Sequence, residues 1–103
     1  MQATTADARA YADDGFVVAR ELFSADDTAG MLSHYMDLRA QGPRPGDFGG
    51  TADQPDDPTH DYPRFINMHA WDTASKEWAT DPRITEYASV LIEDEAVLLQ
   101  SML

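Results

Sequence analysis

The chain has 103 residues, 43% of them hydrophobic, which allows one small core and no second domain. Nineteen acidic residues against seven basic ones leave a net charge of −12, which opposes binding to nucleic-acid phosphates and to anionic membrane surfaces. There is no cysteine, so disulfides, zinc–thiolate sites and thiol catalysis are excluded within the chain, and no apolar run reaches the ~20 residues of a membrane helix.

The stretch from Met1 to Asp7 has neither the basic start nor the apolar core of a secretion signal, so a cytoplasmic protein is expected. A first helix is predicted over Thr5–Asp14. Thr4 or Thr5 caps it, Asp7 favours its positive end, Ala8, Tyr11 and Ala12 share a face, and Gly15 stops it. Phe16-Val17-Val18-Ala19 is aromatic and β-branched, the composition of a short strand. Ser24 opens a second helix, its hydroxyl placed to accept from the N–H of Asp27. Met31, Leu32, Tyr35 and Leu38 form the apolar stripe, and Gly42 lies just past its end.

Residues 43–63 change character. Prolines and glycines alternate with Asp47, Asp53, Asp56, Asp57 and Asp61, and no helical or strand period survives. A loop of this length is either a functional lid or a disordered segment, and both readings stay open. Phe65-Ile66-Asn67-Met68 reads as a short extended piece. Asp72 caps a short helix with Ala74 and Trp78 on one side. Asp81-Pro82 starts the most regular helix, with Ile84, Tyr87, Ala88 and Leu91 on one face. After Glu93-Asp94-Glu95, the almost continuously apolar run Ala96–Leu103 reads as a strand covered on both faces. Such a strand needs neighbours on its edges, and the expectation is that the polypeptide continues past Leu103.

Candidate chemistry is sparse. His34 and Asp37 share a helical face, but two ligands are too few for a tight metal site. His34 is expected on the helix surface. His60-Asp61 lies in the acidic loop, whose aspartates do not follow the calcium-loop pattern. One reading makes Asp56, Asp57, His60 and Asp61 an acidic metal-binding module. His69 is expected to pack or hydrogen-bond near the third helix. Met36, Tyr62 and Trp71 lie two residues after the three histidines, so no His-x-carboxylate iron pair is present. Trp71, Trp78 and Tyr87 suit core packing at their spacings. Gln100 shares a strand face with Leu98 and Met102. It either pairs locally or faces a cavity that holds a polar ligand.

The order "YADDGFVVARELFSADD", "RFINMHAWD", "TDPRITEYASVLI" and "AVLLQSML" resembles the N-terminal part of the phytanoyl-CoA dioxygenase family. The resemblance covers nearly the whole chain apart from the acidic loop. It implies an α+β fold: a helical N-terminal layer and the first strand or strands of a double-stranded β-helix (jelly roll), with residues 1–103 forming one partial domain. It implies an Fe(II)- and 2-oxoglutarate-dependent oxygenase that hydroxylates a small organic substrate. The iron pair, the second iron histidine and the arginine for 2-oxoglutarate would all lie beyond Leu103. By the same resemblance Gln100 faces the cosubstrate cavity and Met102 lines it, while the 43–63 loop and Arg64 lie at its mouth. No catalytic residue, no metal ligand and no tightly bound cofactor is then expected within the chain itself. The rival reading is a small acidic protein-interaction domain without enzymatic activity.

Overall fold

The computed structural model describes residues 2–50 and 52–103; Met1 and Thr51, the latter inside the expected loop, lie outside it. About half of the chain is helical. Helix α1 spans Thr5–Asp14, α2 Ala25–Ala40, α3 Thr73–Ala79 and α4 Pro82–Ile92, with short 3-10 helices at Pro58–His60 and Met68–Ala70. No helix among the described residues is long and apolar enough to cross a membrane.

Each α-helix begins where its capping residue places it. Thr4 and Asp7 form a reciprocal capping box on α1, and Ser24 and Asp27 do the same on α2, so the first orphan N–H groups are satisfied by side chains. Asp72 accepts from the Ser75 N–H at the start of α3, and Asp81 accepts from the Arg83 N–H at the start of α4, with Pro82 as the first helical residue. Gly15 closes α1 in the left-handed conformation at φ 83°, where a side chain would be strained.

The expected α+β architecture is overturned. Among the described residues there is no β-strand and no sheet, only two isolated antiparallel bridges, Phe48 with Arg64 and Ile66 with Met102. The physical reasons lie around residues 64–67. Phe65 exchanges both main-chain hydrogen bonds with Leu103, and the Asn67 N–H donates to the Ser101 carbonyl at 2.7 Å. Asn67 then takes a left-handed turn at φ 53°, and the chain coils into the 3-10 helix, so the ladder ends after two residues. On the opposite edge, Ile66 donates to the Asp47 carboxylate at 2.9 Å instead of to a neighbouring carbonyl, which stops that pairing after Phe48 and Arg64. The predicted strand at residues 16–19 forms no ladder, and its Phe16 and Val18 are exposed.

The buried apolar core is small: Leu38 from α2, Phe65, and Met68, with Tyr35 and Trp71 packed against them. Tyr87 on α4 is buried where α4 meets α1. The molecule is elongated, 47 × 28 × 24 Å, with a radius of gyration of 16.3 Å. A close-packed domain of this length has a radius near ~13 Å. Much apolar surface therefore stays outside the core, including Leu32, Val97 and Leu99.

The 43–63 segment is held by local turns and not by a regular element. The Asp47 carboxylate accepts from the Arg44 N–H, Asp57 accepts from Thr59, and the short 3-10 helix follows. The His60 ring lies against Gly50, whose φ of 89° and lack of a Cβ permit the approach.

Candidate functional site

A polar network joins α2 to α3. One oxygen of Asp72 accepts from His34 Nε2 at 2.8 Å, from the Ser75 N–H at 3.0 Å and from the Ser75 hydroxyl at 2.5 Å. Because the Ser75 hydroxyl has spent its proton on Asp72, the Tyr35 phenol donates to Ser75 Oγ, at 2.9 Å. Around this network His34, Tyr35 and Trp78 pack edge to face or tilted, with centroids 5.3 to 5.6 Å apart. Burial works to raise the Asp72 pKa, but the hydrogen bonds from Ser75 and His34 outweigh it and hold the carboxyl below its ordinary value.

His34 therefore does not stand free on the helix surface, nor does it pair with Asp37. It is half-buried and turned to Asp72, 38 positions away. The arrangement contains serine, histidine and aspartate, yet it is not nucleophilic machinery. Ser75 is 3% exposed, and its proton points to the carboxylate and not to the imidazole. The chemistry available to these groups is structural.

The other two histidines are also engaged. His60 Nε2 bonds the Gln54 carbonyl at 2.9 Å, and His69 Nδ1 meets the Ser101 hydroxyl at 2.5 Å. Asp57 is taken up by Thr59, while Asp61 offers its main-chain carbonyl to Arg39. Hydrogen bonds from Thr59 hold the Asp57 carboxyl below its ordinary value. Among the described residues no three His, Cys, Asp or Glu side chains gather as metal ligands.

Two clefts flank the Ala96–Leu103 segment. One, of about 370 Å³, is lined by Leu98, Gln100 and Met102 on one side and by Tyr35, Trp78 and Phe23 on the other. Ser101 and Leu103 line the same cleft, so it does not single out one alternating face of the segment, and Gln100 is exposed at it. The second, of about 440 Å³, is almost wholly apolar and runs between Leu32, Met36 and Arg39 of α2 and Tyr62, Phe65 and Leu103. The Arg39 guanidinium lies 4.2 Å from the centroid of the Tyr62 ring. Trp71 packs on the core beneath the Arg44 guanidinium, 3.9 Å from its centroid, and Tyr87 is buried.

A third cluster ties the helix starts together. Arg83 donates to Asp81 at 2.9 Å and to Asp27 at 2.7 Å, with its guanidinium over the Phe23 ring. Hydrogen bonding to Arg83 holds both carboxyls below their ordinary values and raises the guanidinium above its own. Neither the Arg83–Asp27 arm of this clamp nor the His34–Asp72 contact has a local sequence signal, because each joins residues far apart in the chain.

Comparison with known proteins found no matching family model, no matching curated protein and no matching solved structure.

Proposed function

We propose that this chain is the helical N-terminal portion of an iron- and 2-oxoglutarate-dependent dioxygenase that hydroxylates a small organic substrate. The observation that carries the reading is the ordered set of sequence segments, ending in Ala96–Leu103, together with the cleft that Leu98, Gln100 and Met102 line. In this reading the iron ligands and the arginine for the 2-oxoglutarate carboxylate come from polypeptide beyond Leu103. The Gln100 carboxamide supplies a hydrogen bond to the polar cosubstrate, and Met102 supplies apolar wall.

The test is succinate release by the polypeptide encoded by the whole reading frame, with Fe(II), O₂ and 2-oxoglutarate. Turnover that depends on all three is expected, and Gln100→Ala raises the KM for 2-oxoglutarate. Absence of such turnover across a panel of small organic substrates, with no 2-oxoglutarate binding, defeats the reading.

A specific observation favours a second reading, an acidic protein-interaction domain. Val97 and Leu99 are 79% and 90% exposed, immediately after Glu93-Asp94-Glu95.

A further inference from the structure

Leu103 is tied to Phe65 by two main-chain hydrogen bonds, one in each direction, at 3.0 and 3.1 Å. With the Ile66–Met102 bridge beside them, these bonds fix the direction of the chain at Leu103, antiparallel to residues 65–67. Residues that follow Leu103 in that direction lie opposite Arg64, Pro63 and Tyr62 in turn. The edge they meet is free as far as Tyr62. Arg64 turns both of its main-chain groups the other way, to Phe48. The Pro63 carbonyl accepts no hydrogen bond among the described residues. At Tyr62 the edge closes, because its N–H is folded back onto the Pro58 carbonyl at 2.9 Å.

That path borders the apolar cleft of about 440 Å³. Leu103, Phe65, Pro63 and Tyr62 line one side of it, and Leu32 and Met36 of α2 line the other. Leu32, Met36 and Leu103 are all exposed. Arg39 is the one charged residue of the lining, and its guanidinium is already engaged. Its Nε donates to the Asp61 carbonyl at 2.7 Å, and the group lies over the Tyr62 ring. The cleft therefore offers apolar side chains and one unused main-chain carbonyl, which suits an uncharged segment that brings an N–H. A second copy would set a net charge of −12 against the same charge.

We propose that the residues immediately following Leu103 in the longer polypeptide fill this cleft, the second of them serving as its plug. This rests on the dioxygenase reading above, which places polypeptide beyond Leu103, and it names where that polypeptide first packs. Alternation puts the second residue opposite Pro63 and on the same face as Leu103. Its N–H donates to the Pro63 carbonyl, and its apolar side chain closes over Leu32 and Met36. The first and third residues turn to the other face, and the pairing ends at Tyr62. The cleft side of α2 is thereby fastened to the start of the continuing chain.

The 103 residues contain no cysteine, so Leu32→Cys places a reporter thiol at the cleft. Its alkylation is followed by mass spectrometry of the peptide that carries position 32, in the 103-residue chain and in the polypeptide of the whole reading frame. Alkylation is expected to be about tenfold slower in the longer polypeptide. Replacing the second residue after Leu103 by aspartate restores the fast rate, and replacing the first does not. In the unsubstituted polypeptide, amide exchange is slow at the second residue and faster at the first. Equal alkylation of the two chains, in a polypeptide that turns over 2-oxoglutarate, overturns the inference and leaves the dioxygenase reading standing. Protection that follows the second residue, in a polypeptide without such turnover, supports the packing and defeats the reading. Protection that rises with protein concentration assigns the cleft to a second copy and overturns the inference. Protection indifferent to the second residue assigns the cleft to a more distant segment, with the same consequence. A reading frame that ends at Leu103 overturns both.

Discussion

His34 and Asp72 are 38 positions apart, and their side chains meet at 2.8 Å, fastening the middle of α2 to the first turn of α3. The same carboxylate oxygen caps α3 and accepts the Ser75 hydroxyl, so one atom serves three donors. Asp72→Ala is expected to lose the helix cap, worth about 1 kcal/mol, and to strand the Ser75 hydroxyl, for a total of about 2–3 kcal/mol. His34→Ala removes one donor only and costs less. Urea denaturation of both single variants and the double variant measures the coupling, and additive effects would mean that the pair is not joined in solution.

Acid should loosen this junction. Asp72 has its folded pKa depressed below the ordinary 3.8, so its stabilising contribution is fully present above that value. It is lost as pH falls through the lower folded value. Asp7, Asp27, Asp57 and Asp81 are depressed in the same direction, chiefly by hydrogen bonds from Thr4, Arg83, Thr59 and Arg83 in turn. Thermal stability should therefore be insensitive to these carboxyls at neutral pH and fall steeply below pH 3.8. Asp72→Asn should flatten part of that fall in a melting series across acid pH.

Arg83 links the N-terminus of α4 to that of α2 through Asp81 and Asp27, yet its side chain is 37% exposed. Solvent screening discounts the pair, and Arg83→Met is expected to cost little stability. The loss should shrink as sodium chloride is raised. A salt-independent effect of the same size would point instead to the lost packing on Phe23.

Gly50 holds φ at 89°, and an added Cβ would stand 2.9 Å from the His60 ring. Gly50→Ala should displace the ring, break the His60–Gln54 bond and cost roughly 1–3 kcal/mol. Faster amide exchange at His60 and Asp61, with unchanged exchange in α4, is the expected signature.

The helices were legible because their determinants are local. Thr4, Ser24, Asp72 and Asp81 each lie within three residues of the N–H they cap, and Gly15 needs only its own missing side chain. The strands were misread because composition does not supply a neighbour. Ala96–Leu103 is apolar enough for a sheet, but its pairing partner turns away at Asn67, and the Asp47 carboxylate occupies the Ile66 N–H that a second neighbour would use. Alternation was no better a guide near the end of the segment, where the consecutive residues Gln100, Ser101, Met102 and Leu103 all line one cleft. The engagement of His34 by Asp72 was hidden, because proximity across 38 residues is a property of packing and leaves no trace in spacing.

The most direct measurement is to read the coding sequence downstream of the Leu103 codon. The oxygenase reading predicts an open frame that continues through aromatic residues and a lysine to a His-x-Asp pair. A stop codon there, or a continuing frame without such a pair, contradicts it.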